Sequence, residues 1–120
     1  MLIPIPAALQ AKSSVYDLKE RLDWGEPALT IIDVRSKEAF NACHITGAVS
    51  WPLSQMNDQA ALNLNLVRDI YVYGASDQES AAAIASLNRA GYRNVAEIKG
   101  GLTAWKVAGF PTEGAAAVVA

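Results

Sequence analysis

The chain has 120 residues, 52% of them hydrophobic and 18% charged, with a net charge of −2 and a pI near 5.3. That length makes one domain with a buried core and is too short for two, and the composition is that of a globular protein, not a disordered chain. The lysines and arginines, from Lys12 to Lys106, form no cluster, which argues against nucleic acid or an anionic membrane surface as a partner.

One cysteine and one histidine, Cys43 and His44, exclude an intrachain disulfide and leave too few soft ligands for a zinc centre. No cofactor or metal is therefore expected. The start, "MLIPIPAALQ", lacks a basic region and is broken by Pro4 and Pro6, so it is a poor signal peptide. No apolar run approaches membrane-spanning length. The expected compartment is the cytoplasm.

In chain order, "LQAK" is a candidate first strand. "SSVYDLKERLDWG" reads as a helix capped by Ser13 or Ser14, with Val15, Leu18 and Leu22 as its stripe and Gly25 as its stop. "LTIIDV", residues 29–34, is a continuous apolar run, as expected of a strand covered on both faces. "SKEAFNA" is a short helical turn, "AVSW" a short strand ended by Pro52, and "DQAALNLN" a candidate helix.

"DIYVY", residues 69–73, is the second clear buried strand. In the helix after it, Ser76 and Glu79 have the spacing of a capping box. Ile84 and Leu87 stand among alanines on its buried face, and Gly91 stops it. "NVAEI" is a last strand and "GLTAWKVAG" a last helix. Strands and helices in alternation predict a mainly parallel sheet with helices on both faces. Residues 1–112 form the domain and 113–120 a low-complexity tail. The three tryptophans are dispersed: Trp105 reads as core, Trp24 as a helix-end anchor, and Trp51, before Pro52, as an exposed candidate for a partner contact.

Two stretches carry a resemblance. "IIDVRSKEAFNACHITGAVSWPL" and "AGYRNVAEIKGGLTAWKVAGFP" resemble the signature and closing segments of rhodanese-like domains, and the match runs over roughly residues 9 to 112. The resemblance implies a three-layer α/β/α fold with a five-stranded parallel sheet in the order 1-5-4-2-3. It also implies structural roles for Asp33, Arg35, Glu38, His44 and Gly47, with Arg35 tied to Glu38 or to backbone carbonyls.

In active members the loop after the fourth strand begins with a nucleophilic cysteine, followed by Arg-x-Gly-x-Arg-Ser. The resemblance places that loop at "GASDQES", residues 74–80. Gly74 then stands at the cysteine position, Ala75 and Glu79 at the arginines and Asp77 at the glycine; Ser80 alone is kept.

Such a loop is a poor sulfur-transfer site. A thiolate must attack the donor and carry the sulfur, and Gly74 has no side chain. A helix N-terminus favours an anion by about 0.3–1 kcal/mol per charge. A carboxylate about 6 Å away opposes it by roughly 3 kcal/mol at an effective dielectric near 20. Asp77 and Glu79 therefore repel a dianion, and a phosphatase-type Cys-x5-Arg reading fails on the same positions.

Asp77 and Glu79 also have a purely structural explanation, as a favourable first turn of the helix. Cys43 beside His44 reads as a small, partly buried turn residue.

Three functions stay open at this level. The chain is an inactive rhodanese-like domain acting as a binding or regulatory module, with residues 74–80 (Gly74, Ala75, Ser76, Asp77, Gln78, Glu79 and Ser80) as the candidate binding loop. Its partner is then an unidentified protein or a small cationic or polar ligand. Alternatively, it is an enzyme working through Cys43 or through other chemistry at that loop. A third reading is a structural domain of a homodimer or of a longer protein.

Overall fold

The computed structural model describes residues 11–25, 28–56 and 64–115. Five strands form one parallel sheet: β1 (Lys12–Ser13), β2 (Leu29–Asp33), β4 (Val49–Ser50), β5 (Asp69–Tyr73) and β6 (Val95–Ile98). Their spatial order is β1-β6-β5-β2-β4. Counted along the chain, that is the expected 1-5-4-2-3. The central pair β2 and β5 is in register from Leu29 opposite Asp69 to Asp33 opposite Tyr73, and the Val34 amide extends the ladder to the Tyr73 carbonyl at 3.0 Å.

Both faces of the sheet are covered, as continuous apolar strands require. Ile31, Tyr71, Tyr73, Ala96 and Ile98 face α1 (Val15–Trp24) and α4 (Gly101–Val107), where Leu18 and Trp105 complete one core. Ile32, Ile70, Val72 and Val95 face α3 (Asp77–Arg89), where Ala83 and Leu87 complete the other.

The helices start and stop where capping chemistry predicts. Ser14 caps α1 in a reciprocal box with Asp17, and Gly25 closes it in the left-handed conformation. The predicted stripe is buried at Val15 and Leu18, with Arg21 beside them. Arg21 is held against the central strand β5: its Nη1 reaches both Asp69 Oδ2 and the Tyr71 hydroxyl at 2.8 Å. Ser36 caps the short α2 (Lys37–Ala42), and Ser76 caps α3.

Four observations depart from the expectations. Trp51 is 6% exposed and packs in the α3-side core, so it is no free contact for a partner: the chain turns at Pro52 and carries the indole under the sheet instead of past its edge. Trp24, the last residue of α1, is 47% exposed, where a buried helix-end anchor is expected. An antiparallel ribbon joins β3 (His44–Ile45) to β7 (Thr112–Glu113); neither two-residue strand has a local signal. Of the residues past 112, Glu113 pairs in that ribbon and the Ala115 amide donates to the Asn41 carbonyl at 2.9 Å.

The candidate helix "DQAALNLN" falls mostly outside the described residues, as does most of "LQAK". No helix among the described residues is long and apolar enough to cross a membrane.

Candidate functional site

The C-terminal ends of β2, β5 and β6 open on one side of the sheet, the edge at which open parallel sheets bind ligands. A cavity of about 550 Å³ lies there. Arg35, Ser36 and Ala39 wall it after β2, residues 74–77, 79 and 80 after β5, and Ile98 with residues 100–103 after β6. The loop was legible in the sequence. The opposite wall was missed, although the Gly100–Gly101 pair closing a predicted strand was its signal.

The loop is organised around Ser76 and Glu79. Ser76 Oγ accepts the Glu79 amide at 3.1 Å, and the Ser76 carbonyl accepts both the amide and the hydroxyl of Ser80 at 3.1 and 3.2 Å. The expected capping box is completed differently. Glu79 Oε1 accepts the Ala75 amide at 3.2 Å, one residue before the cap, so its side chain folds back across the loop mouth. A Cβ added to Gly74 would stand 3.1 Å from Glu79 Cβ and Oε1. The carboxylate thus occupies the space beside the loop's first residue.

Positive charge in the cavity is already matched. Arg35 Nε and Nη2 bond the Asp33 carboxylate at 2.6–3.1 Å, and Nη2 also donates to the Cys43 carbonyl at 2.6 Å. The expected tie to a backbone carbonyl is present; the carboxylate partner is Asp33, not Glu38. Asp33 is fully buried two residues away at the strand end, while Glu38 sits exposed in the first turn of α2. Burial alone would lower the Arg35 pKa, but the hydrogen bonds and charge of Asp33 outweigh it and raise it above the ordinary value.

Behind this pair the buried Tyr73 hydroxyl accepts the Ile45 amide at 3.1 Å. Its pKa is raised, first by burial and then, against the lowering effect of that amide, by the nearby Asp33.

The remaining candidates are not among the residues lining the cavity. Cys43, half-buried and with a free thiol, caps the end of α2 and is not among the residues lining the cavity. His44 stacks on Phe40 at 3.7 Å, and its Nδ1 lies 2.7 Å from the Phe40 carbonyl. A carbonyl only accepts, so Nδ1 carries the proton and that nitrogen is no free base. Gly47, at φ 86°, donates its amide to Glu113 Oε1 at 3.1 Å. Gln78 is exposed on α3 and does not line the cavity. No group of three or more His, Cys, Asp or Glu side chains among the described residues could hold a metal ion.

Known proteins share this fold. The model of the rhodanese-like domain family matches residues 14–108. The solution structure of the rhodanese-like domain of the Anabaena protein Alr3790 aligns with a TM-score of 0.85 at 46% identity, covering 93% of this chain and 85% of that one. The protein slr1261 of Synechocystis is 37% identical over 87 residues, 72% of this chain and 48% of its own length. The "probable adenylyltransferase/sulfurtransferase MoeZ" of Mycobacterium tuberculosis is 33% identical over 102 residues, 82% of this chain and 26% of its own length. The chain thus spans about half or less of these two relatives.

Proposed function

Because the chain belongs to the rhodanese-like domain family, we propose that it is a member without sulfurtransferase activity, a cytoplasmic binding module whose partner enters the cavity at residues 74–80. The observation that carries this reading is the position of Glu79. In the resemblance, the loop's first residue supplies the nucleophile, and its amides receive the anionic substrate. Here that first residue is Gly74, and a resident carboxylate takes the Ala75 amide and crowds the space beside it. A donor dianion meets Asp77 and Glu79 on the cavity wall, and Arg35, the one cation among the described residues that line it, is held by Asp33. The geometry favours a cationic or hydrogen-bond-donating group of a protein or small molecule.

MoeZ carries a sulfurtransferase name, which keeps sulfur transfer as the rival reading; Cys43 is the only thiol available for it. One experiment separates the two. The purified chain is incubated with thiosulfate and cyanide, and separately with a persulfide donor followed by intact mass spectrometry. Buffer-level thiocyanate and no added sulfur on Cys43 are expected. Thiocyanate that disappears in a Cys43→Ser variant overturns the proposal. For the binding role, wild type and Glu79→Arg are compared in an affinity capture from the native organism; a partner retained equally by both does not use this loop.

A further inference from the structure

The cavity wall after β2 is held mostly at its two ends. α2, which carries the lining residue Ala39, has no buried residue. Of its side chains only Phe40, itself half-buried, packs against the core. At the start of the wall, Arg35 grips Asp33 and Ser36 caps the helix. At its far end a second stretch of chain, residues 111–115, lies along α2 and β3 as a strap.

The strap is bonded along its whole length. The Pro111 carbonyl accepts Trp105 Nε1 at 2.7 Å and the Thr46 amide at 3.3 Å. Thr112 and Glu113 pair with Ile45 and His44, and Glu113 Oε1 also accepts the Gly47 amide. The Ala115 amide donates to the Asn41 carbonyl. Gly114, at φ 125°, lies so close to α2 that an added Cβ would stand 2.7 Å from the Ala42 carbonyl oxygen. No residue of the strap is buried, so hydrogen bonds and not apolar burial keep it in place.

The stretch beneath the strap supports the cavity in turn. The Cys43 carbonyl accepts Arg35 Nη2 at 2.6 Å, and the Ile45 amide donates to the hydroxyl of Tyr73, the residue before Gly74.

We propose that residues 111–115 are a latch: seated, they fix the α2 wall of the cavity, and lifted, they let residues 36–43 swing about Ser36 so that the cavity loses its fixed width. Segments with little apolar burial and exposed hydrogen bonds open at low free energy. The strap and α2 both fit that description, whereas β2, β5 and β6 lie inside the sheet. Lifting the strap removes the bonds at Asn41, Thr46 and Gly47 and unpairs β3 in one event. Phe40 and the bonds to Arg35 and Tyr73 then hold the wall alone. The coupling is reciprocal: whatever binds against the seated wall holds the strap down, and whatever draws the strap away loosens the site. It concerns the shape of the cavity and does not depend on what enters it.

Amide hydrogen exchange followed by NMR tests this without a ligand. Gly114→Ala should lift the strap, because the new Cβ has no room and the backbone there favours glycine. The Phe40 and Cys43 amides donate to the Ser36 and Ala39 carbonyls. In this variant they should exchange about tenfold faster relative to the Ile70 and Glu97 amides of the interior strands. The Arg35 Nε–H signal should shift in the same spectra. Glu113→Ala removes only the acceptor of the Gly47 amide; it should act in the same direction with a smaller effect, and it decides should Gly114→Ala fail to fold. Leu87→Ala weakens the core on the opposite face of the sheet and should speed all four amides together. Phe40 and Cys43 amides no faster relative to the interior strands in the strap variants, or an unmoved Arg35 signal, would overturn the proposal. So would a selective loosening of α2 by Leu87→Ala.

Discussion

The Glu79 side chain fills the place that a side chain on Gly74 would need: its Cβ, Cγ and Oε1 lie 3.1–3.2 Å from where that Cβ would stand. Contacts of that length are tighter than ordinary van der Waals packing. The two residues are therefore coupled, and neither can be changed without the other responding.

Gly74→Cys alone should restore little sulfur transfer. The new Cβ must displace Glu79, and the thiol would lie beside Asp77 and Glu79, whose charge disfavours the thiolate. Replacing Ala75→Arg, Asp77→Gly and Glu79→Arg alongside it removes two carboxylates and adds two cations. We expect the quadruple variant to exceed the single one by about tenfold or more, equivalent to roughly 1.4 kcal/mol. Thiocyanate release and thiol titration measure it; equal rates would mean that only the missing sulfur atom mattered.

The loop's own stability should depend on Ser76 more than on the carboxylate. Ser76→Ala removes the cap accepted from the Glu79 amide and should destabilise by about 1 kcal/mol. Glu79→Gln keeps an acceptor for the Ala75 amide and should change stability by less than about 0.5 kcal/mol. Urea unfolding of the two variants gives the ranking, and the reverse order would contradict it.

Arg35 should prove structural. Asp33 is fully buried, so Arg35→Ala strands a carboxylate away from water, and a loss of about 3–5 kcal/mol is expected. Arg35→Lys keeps the charge but not the planar fork that grips Asp33 and the Cys43 carbonyl, and should fall between. Thermal denaturation tests this; an Arg35→Ala variant as stable as wild type would refute it.

Trp51 should matter for packing and for nothing else. Its ring is buried, and its Nε1 finds no acceptor among the described residues. Trp51→Ala should lose about 3–5 kcal/mol. Trp51→Phe also removes an unsatisfied donor, so its loss should be much smaller. Selective loss of partner capture by a well-folded Trp51→Phe variant would return this residue to the contact surface.

What the sequence determined by itself is local. The apolar runs 29–34 and 69–73, the serine caps and the glycine stops are written in short-range periodicity and capping chemistry, and they place the 74–80 loop at a strand end. The resemblance added the strand order. What only the tertiary structure decided depends on neighbours distant in the chain. Nothing near Trp51 says that it will be covered, and nothing near His44 that residues 112–113 will pair beside it. Strand alternation tells which side of a sheet a residue faces. Whether it then meets solvent or an indole pocket is set by how the helices pack across that face, because burial and electrostatics follow from three-dimensional proximity rather than from order along the chain.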